Sequence, residues 1–150
     1  MQDLLNALPD EEWFISTVTV SELLQGALRT LSPTRRTARF AFVEHNINRF
    51  RVLDFDLASA RAHAELWAEL ARHGRTVGER DLMIAATAVS RNYAVATRDL
   101  RSFLKIPGLT VINLYDHPCK FSANNFSVCC HASLAASGAY TSLRVSLKNP

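Results

Sequence analysis

"GERDLMIAATAVSRNYAVATRDLRSF", residues 78–103, decides how this chain folds. Its first half is apolar on nearly every side, through Leu82, Met83, Ile84, Ala85, Ala86, Ala88 and Val89. A helix of that kind is buried, between a sheet and its neighbours. The pattern predicts a helix over residues 81–92. "YAVAT", residues 93–97, then reads as a short continuous apolar strand. Such strands belong to parallel sheets covered on both faces. An acid stands at each junction: Asp81 where the helix begins and Asp99 where the strand has ended.

Outward from this stretch the same alternation continues. "WFISTV", 13–18, reads as a buried strand, and "TVSELLQGALRTL", 19–31, as a helix. "SPTRR" reads as a breaker followed by a basic turn, and residues 37–49 as a weak helix. "FRVLDF", 50–55, has the β-branched and aromatic content of a strand. Leu57, Ala60, Ala64, Trp67 and Ala71 recur at spacings of three and four, which predicts the core face of a helix. Asp56 can cap its start and Gly74 can end it. "DLRSFLKI" reads as a short helix, and "PGLTVINL" as a turn and a last strand. Strands alternating with helices predict an α/β fold with a mainly parallel sheet flanked by helices.

The chain has 150 residues, 48% of them hydrophobic, enough for one domain with a core, placed at residues 1–116. No apolar run approaches the ~20 residues of a membrane span. The first ten residues show no basic stretch leading into an apolar one, so no secretory signal is read and the expected compartment is the cytoplasm. The net charge is +3, and Lys120, Arg144 and Lys148 account for all of it. The body is neutral, so the charge does not by itself argue for nucleic acid. Residues 117–150 are rich in Ser, Ala and Asn, hold all three cysteines and contain no acid. They are read as an atypical, poorly ordered appendage.

Three carboxylates carry the chemistry, and each has an ordinary explanation. Thr19-Val20-Ser21-Glu22 fits a capping box. Asp81 sits in a first helical turn, where the macrodipole favours negative charge. Asp99 can cap the helix beginning at Leu100. Together they say more. In a parallel sheet the carboxyl ends of strands and the amino ends of the helices after them share one edge, where open α/β sheets bind ligands. Three acids at one edge repel unless a cation lies between them. Hard cations such as Mg²⁺ or Mn²⁺ take oxygen ligands and keep waters, the usual apparatus for phosphodiester hydrolysis.

"ISTVTVSELLQGALR", "GERDLMIAATAVSRNYAVATRDLRSF" and "IPGLTVINL" resemble the PIN domain, and within it the VapC-type toxins of bacterial toxin–antitoxin pairs. The resemblance covers about residues 1–116. It implies an RNA-cutting endonuclease dependent on Mg²⁺ or Mn²⁺, with Glu22, Asp81 and Asp99 as metal-holding and catalytic residues. Thr97 and Arg98, in the same turn as Asp99, are implied to contact substrate. Their ordinary readings are a strand-end threonine and a solvated arginine. The resemblance also implies a homodimer and a cognate antitoxin that blocks the acidic cleft.

The family pattern opens on a short central strand ending in Asp, its principal metal ligand. This chain opens "MQDLLNALPDEEWF", which resembles the family's sequence beyond that first strand and its helix, and Asp3 has no strand before it. The expectation is a domain truncated at its N-terminus, with weakened metal affinity and exposed strand edges. A second reading is a catalytically inactive remnant that only binds antitoxin or pairs with an intact copy. A PIN domain of RNA processing outside such pairs is a third.

The five histidines show no metal spacing. His63 and Trp67, one helical turn apart, read as packing. Cys119, Cys129, Cys130 and His131 match no standard zinc spacing. There is no Gly-rich phosphate loop and no nucleophilic serine partnered by a histidine.

Overall fold

The structure, a computed structural model, describes residues 13–114 and 145–148. Strand β1 (Trp13–Ser16) leads directly into helix α1 (Thr17–Leu28), and α2 (Pro33–Arg49) comes next. Strand β2 (Arg51–Leu53), helices α3 (Leu57–Arg72) and α4 (Glu79–Val89), strand β3 (Tyr93–Thr97), the single turn α5 (Leu100–Phe103) and strand β4 (Val111–Asn113) complete the body. Strand β5 (Val145–Lys148) comes from the tail.

The helix starts show how local chemistry sets boundaries. The Ser16 hydroxyl accepts the Thr19 amide at 3.1 Å, so α1 begins two residues earlier than the sequence pattern predicts. The expected cap, Thr19, is instead inside the helix and fully buried. "SPTRR" is not a separate turn. Ser32 and Pro33 open α2, because proline lacks only a donor that the first turn leaves unbonded anyway. Gly74, at φ +62°, ends α3 as expected, and the Arg75 amide bonds back to the Leu70 carbonyl at 2.9 Å.

The periodicity of α3 points to the wrong face. Its buried residues are Ser59, Leu66 and Leu70. Leu57 and Trp67, members of the predicted apolar stripe, are 67% and 64% exposed. Alanines fit either face, so they could not arbitrate. The small Ser59 lets α3 approach α4 closely, and Arg91 at the end of α4 fastens the pair. The Arg91 guanidinium donates to the Ser59 hydroxyl, the Ser90 hydroxyl and the carbonyls of Thr87 and Asp54 at 2.9–3.1 Å. It also meets the Asp56 carboxylate at 2.8 Å. Asp56 caps α3 by accepting the Ser59 amide at 2.9 Å. That bond, the Ser59 hydroxyl and the Arg91 charge hold the Asp56 carboxyl below its usual value.

The sheet runs β2-β1-β5-β3-β4. Strands β1 and β2 are parallel, as are β3 and β4. Strand β5 is antiparallel to both β1 and β3. The sheet is therefore parallel everywhere except at its centre. One core cluster joins α3, α4, β3 and α5 through Leu66, Leu70, Ile84, Val95 and Phe103. A second joins β1, α1 and α2 through Ile15, Leu23, Val43 and Phe50. Helix α4 is buried along nearly its whole length, as its composition predicts. No helix among the described residues is long and apolar enough to cross a membrane. Of the tail read as poorly ordered, only residues 145–148 are described, and they form β5. Cys119, Cys129, Cys130 and His131 lie outside the described residues.

Candidate functional site

Sheet topology places the acids before any side chain is considered. Strands β1 and β3 point the same way, because each is antiparallel to β5. Their carboxyl ends share one edge of the sheet. Helix α1 starts there, directly after β1, and Asp99 stands just past the end of β3 there. Helix α4 leads back into the start of β3, so its own start returns to the same edge. Glu22, Asp81 and Asp99 are thus carried by three helices that begin at one place.

Glu22 lies in the second turn of α1, half-buried. With Ser16 as the cap, Glu22 is no longer the glutamate of a capping box, and its ordinary explanation is gone. Its carboxylate is 3.9 Å from the Arg80 guanidinium, which also donates to the Gln25 side chain at 3.3 Å. Arg80 ties α1 to the start of α4. As a long ion pair whose Arg80 partner is exposed, it contributes at most ~1 kcal/mol. Arg80 is absent from the sequence-predicted site; its place beside Asp81 in "GERD" was the available signal.

Asp81 is the third residue of α4, in the first turn with Glu79. Gly78 caps this helix without a side chain to offer. A Cβ on Gly78 would stand 3.3 Å from Asp81 Oδ2, so the carboxylate leans over the start of its own helix. The partial positive charge there favours it.

The turn after β3 is the most closely specified part of the site. Thr97 is fully buried, and its hydroxyl accepts the Asp99 amide at 3.0 Å. Its carbonyl accepts the Leu114 amide at 3.1 Å, which anchors the turn to the end of β4. Asp99 then caps α5 by accepting the Ser102 amide at 3.2 Å. Arg98, between them, is exposed.

Carboxylate oxygens are the right donors for a hard cation. Yet among the described residues no group of three or more His, Cys, Asp or Glu side chains is close enough to hold a metal ion. The expected convergence of Glu22, Asp81 and Asp99 stops at the backbone: one edge, three side chains not gathered. The reason is local. Glu22 faces Arg80, Asp81 leans toward Gly78, and Asp99 is held by Ser102. The residues as arranged do not fit an Mg²⁺ or Mn²⁺ centre. His63 stands where packing predicts, with Phe55 and Trp67 edge-on at ring separations of 6.0 and 5.8 Å.

A family model described as the PIN domain matches residues 2–109. A tRNA(fMet)-specific endonuclease VapC of Salmonella typhimurium is 44% identical over 97 residues, 65% of this chain and 71% of that protein. The crystal structure of DNA-bound VapBC from Salmonella typhimurium is similar with a TM-score of 0.67 at 39% identity, covering 75% of this chain and 82% of that one. VapBC-5 from Mycobacterium tuberculosis, a member of the VapBC family of toxin–antitoxin systems, is similar with a TM-score of 0.60 at 35% identity, covering 65% and 79%.

Proposed function

The chain belongs to the PIN-domain family and to its VapC branch, and on that premise we propose that it is the toxin of a toxin–antitoxin pair and cuts RNA phosphodiesters at its acidic edge. The observation that supports this is the meeting of three acid-bearing helix starts at the carboxyl edge of β1 and β3. In this reading Glu22, Asp81 and Asp99 are the acidic residues of the active site. Thr97 fixes the turn that carries Asp99, and Arg98 meets an RNA phosphate. Mg²⁺ or Mn²⁺ belongs to the reading as the counter-charge such an edge needs when phosphates approach it. The described side chains do not gather round an ion, so no step is assigned to one. The partners are a cognate antitoxin and a second copy of the chain. The VapBC assemblies among its structural neighbours support the first.

RNA cleavage by the full chain, with Mg²⁺ or Mn²⁺ against EDTA, tests this. Asp81→Asn should lower the rate by at least ~100-fold, the effect of removing a working carboxylate. Equal cutting by the variant refutes the site.

One observation favours the second reading, an inactive chain that only binds: among the described residues no three acidic or other ligating side chains are gathered. Antitoxin binding without cleavage at any Mn²⁺ concentration is the result that supports it.

A further inference from the structure

The charge of the body is neutral in sum but not in place. Between Glu22 and Glu44 the chain carries Arg29, Arg35, Arg36 and Arg39 and no acid. All four stand at the corner where α1 ends and α2 begins. Two of them have an ordinary structural use. The Arg36 Nε–H donates to the Thr30 carbonyl at 3.1 Å. Arg39 Nη1 donates to the Gly26 carbonyl at 3.1 Å and to the Thr30 hydroxyl at 2.6 Å. Cations suit the end of α1, where these carbonyls lie. The exposed side chains of Arg29 and Arg35 have no such use, and neither meets an acceptor or an acid among the described residues. Arg35 even stands in the first turn of α2, with no acid beside it, where the macrodipole disfavours positive charge. We infer that this arginine corner is an interaction surface for the phosphate backbone of RNA, separate from the acidic edge.

The guanidinium fork matches the paired oxygens of a phosphate. Arg36 uses only its Nε–H on Thr30, so that bond orients the group and leaves both Nη ends uncommitted among the described residues. Arg39 keeps Nη2 in the same way. These side chains are already ordered, so little freedom is lost when a ligand arrives. Four like charges at one corner also repel one another, and a polyanion relieves that repulsion. A helix rises ~1.5 Å per residue, so Arg29 lies ~10 Å along α1 from Glu22. A stacked strand advances ~3.4 Å per nucleotide, so RNA with one phosphate at the acidic edge reaches the corner roughly three nucleotides further on. The corner thus anchors the strand that flanks the cut, a conclusion that rests on the RNA-cutting reading. Leu28 and Leu31 are exposed here too, which makes an acidic protein segment the rival occupant. The spacing from the acidic edge favours RNA.

Fluorescence anisotropy on the full chain tests the surface, with a labelled single-stranded RNA of roughly 20 nucleotides and EDTA present to prevent metal-dependent cutting. The logarithm of the binding constant should fall linearly with the logarithm of salt concentration, by about 0.7 per phosphate contact. Arg29→Gln combined with Arg35→Gln should therefore make the slope shallower by about 1.4. Arg61→Gln combined with Arg72→Gln removes the same charge from exposed positions on α3 and should leave the slope as it is. Equal slopes for all three proteins overturn the inference and leave cutting at the acidic edge standing. Unchanged RNA binding beside lost polyglutamate binding in the Arg29/Arg35 variant also overturns it, because the corner then takes an acidic protein segment. Equal cutting by Asp81→Asn and the natural chain, beside the shallower slope, would refute the acidic site and support this surface. If the double variant does not fold, Arg29→Gln alone decides, with a slope shallower by about 0.7.

Discussion

Thr97→Val removes one hydroxyl from a fully buried site while keeping the side chain's shape and volume. The change leaves the Asp99 amide without its 3.0 Å acceptor. A buried donor left unmade costs ~1–3 kcal/mol. Asp99 is only half-buried, so water restores part of this and the expected cost is ~1–2 kcal/mol. For a chain of this length that lowers the melting temperature by roughly 2–8 °C. Thr97→Ser is the control. It keeps the acceptor and loses a buried methyl, worth ~1 kcal/mol. The two variants have overlapping stabilities, so the deciding assay is local. Exchange at the Asp99 amide should quicken about tenfold or more in Thr97→Val and stay slow in Thr97→Ser. RNA cleavage should fall in the same order, because only the valine variant releases the turn that carries Asp99. Unchanged exchange at Asp99 in Thr97→Val would refute the claim that this hydroxyl positions the acid.

Other residues give further outcomes. Asp56 has its folded pKa depressed, first by the Ser59 amide and then by the Ser59 hydroxyl and Arg91. Its stabilising effect is present above the unfolded value of 3.8 and is lost as pH falls through the lower folded value. The stability gap between the natural chain and Asp56→Asn, read by urea unfolding, should therefore be constant near neutrality and close in acid. Gly78→Ala should cost ~1 kcal/mol, since alanine is the poorer cap. It should also displace the Asp81 carboxylate by a few tenths of an ångström, read as slower cleavage without loss of fold. Trp67→Glu should change stability by no more than about 0.5 kcal/mol, because a 64% exposed side chain has little burial to lose. A larger loss would show that Trp67 is covered after all.

The strand–helix order was legible because it rests on composition: "YAVAT" cannot be solvated, and residues 82–89 have no polar face. Caps were legible where a side chain faces its own backbone, as with Asp56 and Asp99. The cap of α1 was missed because Ser16 and Thr19 both fit, and only the depth of Thr19 separates them. The buried face of α3 was not legible at all. It is decided by Arg91, far along the chain, which turns Ser59 inward and leaves Trp67 out. The edge that gathers Glu22, Asp81 and Asp99 was legible through topology. The directions of those side chains were not, because Arg80, Gly78 and Ser102 each act at short range. The strand at the sheet's centre came from the segment whose composition promised least.

Arg91 offers an experimental convenience. A single guanidinium bonds to the loop after β2, the first turn of α3 and the last turn of α4. Its Nη–H resonances, recorded by selective ¹⁵N labelling, would act as docking reporters for all three segments at once. A sharp, shifted signal would mark the native assembly, and its broadening would give early warning of α3 lifting away during titration, heating or partner binding.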